Sequence, residues 1–274
     1  MSLMRKKWIA LICFAGPFLI LPFALKSWTA GFKLAKLCIE IPYRSAWDVR
    51  TPLSETSAQK ILSQPFRYLG KGRQCYAFES QDRAYVLKLF RFDRRILVPH
   101  KSKGRTESVD ALFEGCRLAA IASEETGLLY LHLNESLGRL PVLNAKGPLR
   151  RHYRIPLDRC RFALQKKAIP LAEGLFNAKQ EGSLEERLEE IVVLLRSRIE
   201  KGIGNQDPSL WRNFGFIERS AVEIDFGSFV PRPDFSDPSI AEKELSRYLE
   251  PLRSWLEKHA PESLHFLDAK GGVS

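Results

Sequence analysis

The sequence lacks the cysteine patterns that build disulfide scaffolds or zinc sites. Its five cysteines are odd in number and widely spread, and no Cys-x-x-Cys pair occurs. Structural zinc sites need closely spaced ligand pairs, and small disulfide-rich domains need an even set of cysteines. The sequence therefore argues against both classes, and its cysteine usage favours a reducing compartment.

Nucleic-acid motifs and internal repeats are also missing. The basic runs are not interleaved with aromatic residues, so we expect no nucleic-acid partner. The apolar fraction of 45% and the charged fraction of 27% are those of an ordinary globular protein. The length of 274 residues suits one domain with additions, or two small lobes.

Positive charge is in excess and is unevenly placed. The net charge is +11, and the segments 91–105 and 146–167 carry six and eight Lys or Arg residues against one acidic residue each. Such runs are usually solvated faces. The functional alternatives are anionic lipid at a basic face, or the phosphates of a nucleotide.

An uncharged apolar run covers residues 8–25, after the basic residues Arg5, Lys6 and Lys7. Its 18 residues are just enough for a helix to span a hydrocarbon core. No Ala-x-Ala cleavage site follows, so residues 1–26 predict a transmembrane anchor and a single-pass membrane protein. The alternative is a cleaved signal segment and a secreted protein. Basic residues on both sides of the run leave the orientation open.

Residues 27–65 predict a juxtamembrane segment with a short helix, capped by Ser54 or Thr56. Residues 66–172 predict a strand-rich lobe, because three short apolar segments alternate with turn residues. In the third strand, Lys88 shares a face with Val86 and Phe90. A lysine on an inward face is costly unless it is paired, so Lys88 is either an edge lysine reaching water or a phosphate ligand.

Residues 173–274 predict a helical lobe. A long amphipathic helix covers 183–199, with Ser183 and Glu186 as a capping box, and a second helix runs from about 240 to 259. Between these helices, Asp207 opens a loop, Asn213 follows six residues later, and Asp225 comes after a short apolar strand. Oxygen ligands of this kind suit Mg²⁺. A plain turn and a strand end are the alternative.

The order of these parts resembles the protein-kinase-like fold superfamily, over roughly residues 66–260. The motifs that carry the resemblance are Gly70-Lys71-Gly72, the strand lysine Lys88, a helix with a glutamate, and the Asp207, Asn213, Asp225-Phe226-Gly227 series. It implies an α+β, two-lobed kinase-like fold with a strand-rich N-lobe and a small helical C-lobe, here preceded by one transmembrane helix.

The resemblance also implies ATP and Mg as cofactors and a specific role for each site residue. Gly70 and Gly72 would cover the nucleotide phosphates, and Lys88 would bind these phosphates with Glu114 as its partner on the helix. Gln165 to Lys167 would form the hinge that binds adenine. Asp207 would be the catalytic aspartate, and Asn213 and Asp225 would bind the metal ion. A membrane-anchored phosphotransferase acting on a hydroxyl acceptor is the function expected.

Several positions depart from the family pattern. Cys75 stands where a third glycine is usual, Asn205-Gln206 stand where His-Arg or His-Gly is usual, and one extra residue lies between Asp207 and Asn213. No peptide-binding segment follows Gly227, which argues against a protein substrate. The alternatives are a catalytically inactive kinase-like scaffold that binds a partner or anionic lipid, and an unrelated α+β domain with accidental motifs.

Overall fold

The computed structural model describes residues 31–93, 97, 100–102 and 105–270, and only the backbone of 100–102 and 105–107. The chain is α+β. Its strands are β1 (Phe66–Lys71), β2 (Cys75–Ser80), β3 (Tyr85–Phe90), β4 (His100–Ser102), β5 (Arg105–Glu107), β6 (Leu128–His132), β7 (Val142–Lys146), β8 (His152–Pro156), β9 (Phe162–Lys166), β10 (Ile169–Pro170), β11 (Ile203–Asn205), β12 (Phe214–Ile217), β13 (Ser220–Glu223) and β14 (Phe229–Pro231). Its α-helices are α1 (Glu55–Leu62), α2 (Val109–Ile121), α3 (Ser123–Thr126), α4 (Leu171–Glu181), α5 (Leu184–Glu200), α6 (Leu210–Asn213), α7 (Pro238–His259) and α8 (Leu264–Lys270).

A seven-stranded sheet forms most of the first half, in the order β6-β9-β3-β2-β1-β7-β8. All neighbours in it are antiparallel except β1 and β7. The register places Lys88 of β3 between Ala77 of β2 and Ala163 of β9. Small side chains therefore flank the lysine on both neighbouring strands.

The opposite face of the sheet is the apolar one. Side chains alternate along a strand, so Leu87 and Leu89 point away from Lys88 and are fully buried. They join a core that also includes Phe32 and Leu37 from the segment preceding the sheet. We call residues 32–53 the strap, because they run from this core to helix α2, where Trp47 meets Phe113 with ring centroids 4.7 Å apart.

Two helix starts test the caps expected from the sequence. Ser54 accepts a hydrogen bond from the Ser57 backbone at the start of α1, so the predicted cap is confirmed. Ser183 precedes α5 as expected, but its side chain makes no capping bond. Its φ and ψ of −114° and 25° differ from the extended values of a capping residue, so the predicted capping box is wrong.

Helix α2 lies unusually close to the segment after β13. A Cβ built on Gly115 would lie 2.6 Å from the Phe226 carbonyl oxygen and 3.3 Å from the Gly227 carbonyl carbon. Glycine at this position therefore allows a helix and a loop backbone to meet directly.

The second half is built on helices α4, α5 and α7. Leu188, Ile191 and Leu195 of α5 pack with Leu249 and Leu252 of α7 in one apolar cluster. Two small sheets lie beside it, β11 with β14, and β10 with β12 and β13. Pairing between β11 and β14 and between β12 and β13 brings the 206–213 loop and the 224–228 loop to the same end of these sheets.

The predicted transmembrane segment, residues 8–25, lies outside the described residues. Within residues 31–93, 97, 100–102 and 105–270, no helix combines the length and apolar character needed to cross a bilayer. The longest one, α7, has 22 residues, but Lys243, Arg247 and Glu250 are among its charged side chains. The fold class with one transmembrane helix and the single-pass membrane localisation, both expected from the sequence, are therefore not supported by the described residues. The fold of these residues is α+β.

Candidate functional site

Lys88 reaches from the sheet to the segment between β13 and β14. Its Nζ donates a hydrogen bond to the carbonyl oxygen of Ile224. The same Nζ lies 5.1 Å from the centre of the Phe226 ring, within the range of a cation–π contact. The lysine is half-buried and is held beside Asp225, the residue that follows Ile224.

Glu114 does not pair with Lys88. Its Oε1 forms an ion pair with Arg117 Nη2 at 2.7 Å, and both side chains are about two-fifths exposed. The hydrogen bonds from Arg117 lower the pKa of Glu114. The face of α2 turned inward instead carries Leu112, Cys116 and Ala119, all buried. Glu114 is two residues from Cys116, or about 200° around the helix, so the lysine partner expected on this helix is absent from that position.

The backbone of Ile224 joins three of the predicted site residues. Its N–H donates to the Asn213 carbonyl oxygen at 2.6 Å, and its carbonyl oxygen accepts from Lys88. The Asn213 Nδ2 group in turn donates to the Asp207 carbonyl oxygen at 2.7 Å. Lys88, Asn213 and Asp207 are therefore linked by direct bonds through one residue that adjoins Asp225.

The side chain of Asn205 binds the backbones of both Asp207 and Asp225, a role that the sequence did not indicate. Its Oδ1 accepts from the Asp207 backbone N–H at 2.8 Å, and its Nδ2 lies 3.3 Å from the Asp225 carbonyl oxygen. Nδ2 also donates to Glu223 Oε1 at 2.6 Å. The side chain is 2% exposed. Its amide therefore holds both acidic loops in place.

A buried charge network lies behind Asn205. Arg198 of α5 and Glu223 of β13 are fully buried, with Nη1 and Oε2 3.4 Å apart, and Arg198 Nη2 is also 3.4 Å from Glu244 Oε1. Burial raises the pKa of Glu223 to about 7, against the attraction of Arg198 and the bond from Asn205. Burial opposes the charge on Arg198, but Glu223, Tyr248 and Glu244 outweigh it and raise the Arg198 pKa. The arginine thus stays charged while the carboxyl of Glu223 titrates near neutrality.

The oxygen ligands at the site fit a magnesium ion. Asp225 is exposed, and Asn213, 3% exposed, uses its Nδ2 on Asp207 and so keeps its Oδ1 for another partner. Mg²⁺ is usually held by one or two carboxylates together with substrate phosphates, and it keeps several waters. Among the described residues, no cluster of three His, Cys, Asp or Glu side chains could hold a metal. The set at Asp225 and Asn213 therefore suits an ion that needs the substrate to complete its shell.

The glycine loop between β1 and β2 closes over this segment. Gln74 Nε2 donates to the Gly227 carbonyl oxygen at 3.1 Å, and a Cβ on Gly227 would collide with Gln74 Oε1. A Cβ on Gly70 would meet nothing within 4 Å, so this glycine borders open space. The Gly72 N–H donates a hydrogen bond to the Cys75 carbonyl oxygen at 2.9 Å, which closes the turn between β1 and β2.

The segment predicted as a hinge is largely engaged with the protein itself. Gln165 is buried between β3 and β6, and its Nε2 donates to the Thr126 carbonyl oxygen at 2.8 Å and lies 3.5 Å from that of Ile224. Lys167 Nζ pairs with Glu79 at 2.6 Å, and this bond is the main cause of the lowered pKa of Glu79. The side chain of Gln165 therefore points to the same carbonyl as Lys88.

The predicted residues thus fall into two groups. Lys88, Asp207, Asn213 and Asp225 converge around Ile224, and Gln165 Nε2 lies 3.5 Å from the Ile224 carbonyl oxygen. Gly70 and Gly72 lie where β1 leads into β2. Glu114 lies on the far side of its helix, and Lys167 is bound to Glu79. No local signal in the sequence identifies Asn205, because its partners Glu223 and Asp225 lie 18 and 20 positions further along the chain.

Comparison with known proteins gives only distant similarity. No protein-family model and no curated protein matches the chain. Among solved structures, a crystal structure of WbdD is similar at TM-score 0.35 and 16% identity, over 68% of this chain and 38% of that one. A structure described as the bifunctional kinase-methyltransferase WbdD gives TM-score 0.35 and 15% identity, over 65% of this chain and 34% of that one. The chain thus spans little more than a third of these proteins, and similarity at this level decides neither fold nor activity.

Proposed function

We propose that this chain is a kinase-like phosphotransferase domain that binds ATP with Mg²⁺ where the sheet meets the Asp225 loop. The observation that carries the proposal is the convergence on Ile224, whose backbone bonds both Lys88 and Asn213 directly beside the exposed carboxylate of Asp225. A cation, an amide and a carboxylate that are joined by backbone hydrogen bonds through one residue can form a site for a metal-bound phosphate chain.

Each residue would have one task. Lys88 would exchange its bond to Ile224 for the nucleotide phosphates, and Gly70 and Gly72 would border them. Asp225 and Asn213 would hold the Mg²⁺ ion, which supplies neutralisation of the charge that develops on the phosphates. Asp207, whose side chain is 28% exposed, would orient the acceptor hydroxyl and accept its proton. The neighbouring Arg212 Nη2 lies 3.5 Å from its Oδ1.

A scaffold without catalysis is the second candidate. The ion pair between Glu114 and Arg117 favours it, because Glu114 is then not the group that holds Lys88 in a phosphate-binding position. The β7–β8 hairpin offers such a scaffold a surface, since Lys146, Arg150, Arg151 and Arg154 are all exposed there and none of the residues 146–154 is acidic. Such a surface attracts anionic lipid by roughly 1 kcal/mol per basic residue.

ATP-dependent thermal stabilisation tests the proposal, measured with Mg²⁺ and with a chelator. A ligand at a hundred times its dissociation constant adds about 2.7 kcal/mol to the unfolding free energy. We expect stabilisation of the parent protein only with Mg²⁺, and its loss in Lys88→Ala and Asp225→Ala. Lys146→Ala, another strand lysine, is the matched control.

ATP turnover then distinguishes the two candidates. Slow release of inorganic phosphate that is lost in Asp207→Asn supports the phosphotransferase. Mg²⁺-dependent binding without turnover supports the scaffold. Unchanged stabilisation in both Lys88→Ala and Asp225→Ala would remove the site assignment.

A further inference from the structure

Two cysteines that are far apart in the sequence meet in the fold. The sulfur atoms of Cys38, on the strap, and Cys160, just before β9, are 3.2 Å apart, and 122 residues separate them. Cys160 is buried and Cys38 is half-buried, so Cys38 is the residue of the pair that lies nearer to solvent. The sequence argued against a disulfide framework, but spacing along the chain carries no information about a contact of this range.

The backbones on both sides of the pair are held in place. Arg161, 1% exposed, donates from its guanidinium to the carbonyl oxygens of Ile39 at 3.0 Å and Ile41 at 3.2 Å, both on the strap. The ring of His132 bonds the Cys160 carbonyl oxygen at 2.7 Å. The sulfurs are therefore kept together by contacts that do not involve them.

The two thiols differ in acidity. The hydrogen bond from Cys160 lowers the pKa of Cys38 to about 7; burial and Glu135 oppose this effect, while Arg159 and Arg161 add to it. The bond to Cys38, followed by burial, raises the pKa of Cys160. The thiolate is the reactive form, and Cys38 is also the less buried of the two residues, so Cys38 is the sulfur that attacks a reagent from solvent first and Cys160 the one that follows.

We propose that Cys38 and Cys160 are a modification site that forms a reversible disulfide by exchange with a small-molecule disulfide such as oxidised glutathione. The Cys38 thiolate attacks one sulfur of the reagent, forms a mixed disulfide and releases one thiolate. Cys160 then gives up its proton, attacks the Cys38 sulfur and releases the second thiolate. Two protein thiols are oxidised and one reagent disulfide is reduced to two thiols.

The bond would fasten the strap to the sheet and, through it, support helix α2. Beyond Cys38 the strap contacts α2, through the Trp47 ring on Phe113 and an ion pair of 2.6 Å between Arg44 and Asp110. The same helix meets the Asp225 loop at Gly115. Oxidation would therefore stabilise the packing that surrounds the candidate site, without adding a group to it.

Peptide mapping of the full chain tests the proposal directly. The protein is equilibrated with reduced and oxidised glutathione, alkylated and digested with trypsin. We expect the peptide of residues 37–44 to be joined to the dipeptide Cys160-Arg161, and the intact protein to lose two hydrogen masses. Full alkylation of both cysteines in the oxidising buffer, or a bond from either one to another cysteine, would overturn the proposal.

Thermal unfolding supplies an independent measurement. A link across a loop of this length restricts the unfolded chain, so we expect the oxidised protein to melt roughly 5–10 °C higher, and a reductant to remove the shift. Cys38→Ser should abolish the shift, and Cys13→Ser should keep it. A shift that persists in Cys38→Ser would contradict the assignment. Neither measurement involves a nucleotide, so the result is independent of the proposed activity.

Discussion

Gly115→Ala tests the contact between helix α2 and the Asp225 loop. The new methyl group would lie 2.6 Å from the Phe226 carbonyl oxygen, 3.3 Å from the Gly227 carbonyl carbon and 3.4 Å from the Phe229 nitrogen. All three atoms belong to the backbone. No side chain can rotate to make room, so the helix or the loop must move.

Two effects of opposite sign set the size of the change. Replacing glycine by alanine inside a helix favours folding by about 1 kcal/mol. Overpacking a close contact costs about 1–3 kcal/mol. We expect a net loss of up to about 2 kcal/mol in unfolding free energy. Because the displaced loop carries Asp225, we also expect weaker Mg²⁺-dependent binding of ATP than this loss in stability alone would give.

Urea unfolding and ATP-dependent thermal stabilisation measure the two consequences separately. Gly70→Ala serves as the control for unfolding, since its Cβ would meet nothing within 4 Å. If Gly115→Ala raised the unfolding free energy by the full value of about 1 kcal/mol and bound ATP normally, the direct approach of α2 to the Asp225 loop would be refuted.

Two further variants test the buried charges. Burial raises the pKa of Glu223 in the folded protein to about 7, from 4.5, so the folded state binds a proton that the unfolded state has already lost. The unfolding free energy should therefore fall as the pH rises between these two values. In urea unfolding between about pH 5 and about pH 8, Glu223→Gln should reduce this fall, and an unchanged slope would count against a titrating Glu223. Arg161→Ala leaves the carbonyl oxygens of Ile39 and Ile41 without their donor, so we expect the unfolding free energy to fall by about 2 kcal/mol or more. Arg159 is exposed, and Arg159→Ala should change the unfolding free energy little. Equal effects of the two substitutions would contradict the role of Arg161 on the strap.

Local features of the fold were predictable from the sequence. The first three strands follow from alternating apolar residues and turn residues, and the Ser54 cap depends only on its own helix. The inward position of Lys88 follows from the same alternation. These signals lie within a few residues of the feature that they predict.

The remaining features depend on helix phase or on distant partners. Glu114 lies on the correct helix but on the wrong face, since Cys116 takes the inward position. Asn205 and Glu223 are linked by a bond between residues 18 positions apart, and Cys38 meets Cys160 across 122 positions. Such pairs are fixed by packing between elements, which a single sequence does not display.

The most direct test of the account is the affinity for ATP measured by calorimetric titration, with Mg²⁺ and with a chelator, in the parent protein and in Asp225→Asn. The account predicts that the chelator weakens binding to the parent by at least about tenfold, which is about 1.4 kcal/mol. It also predicts that Asp225→Asn binds weakly under both conditions. Equal affinity in the parent protein with and without Mg²⁺, or an Asp225→Asn variant that binds as tightly as the parent, would contradict a metal-assisted nucleotide site at Asp225.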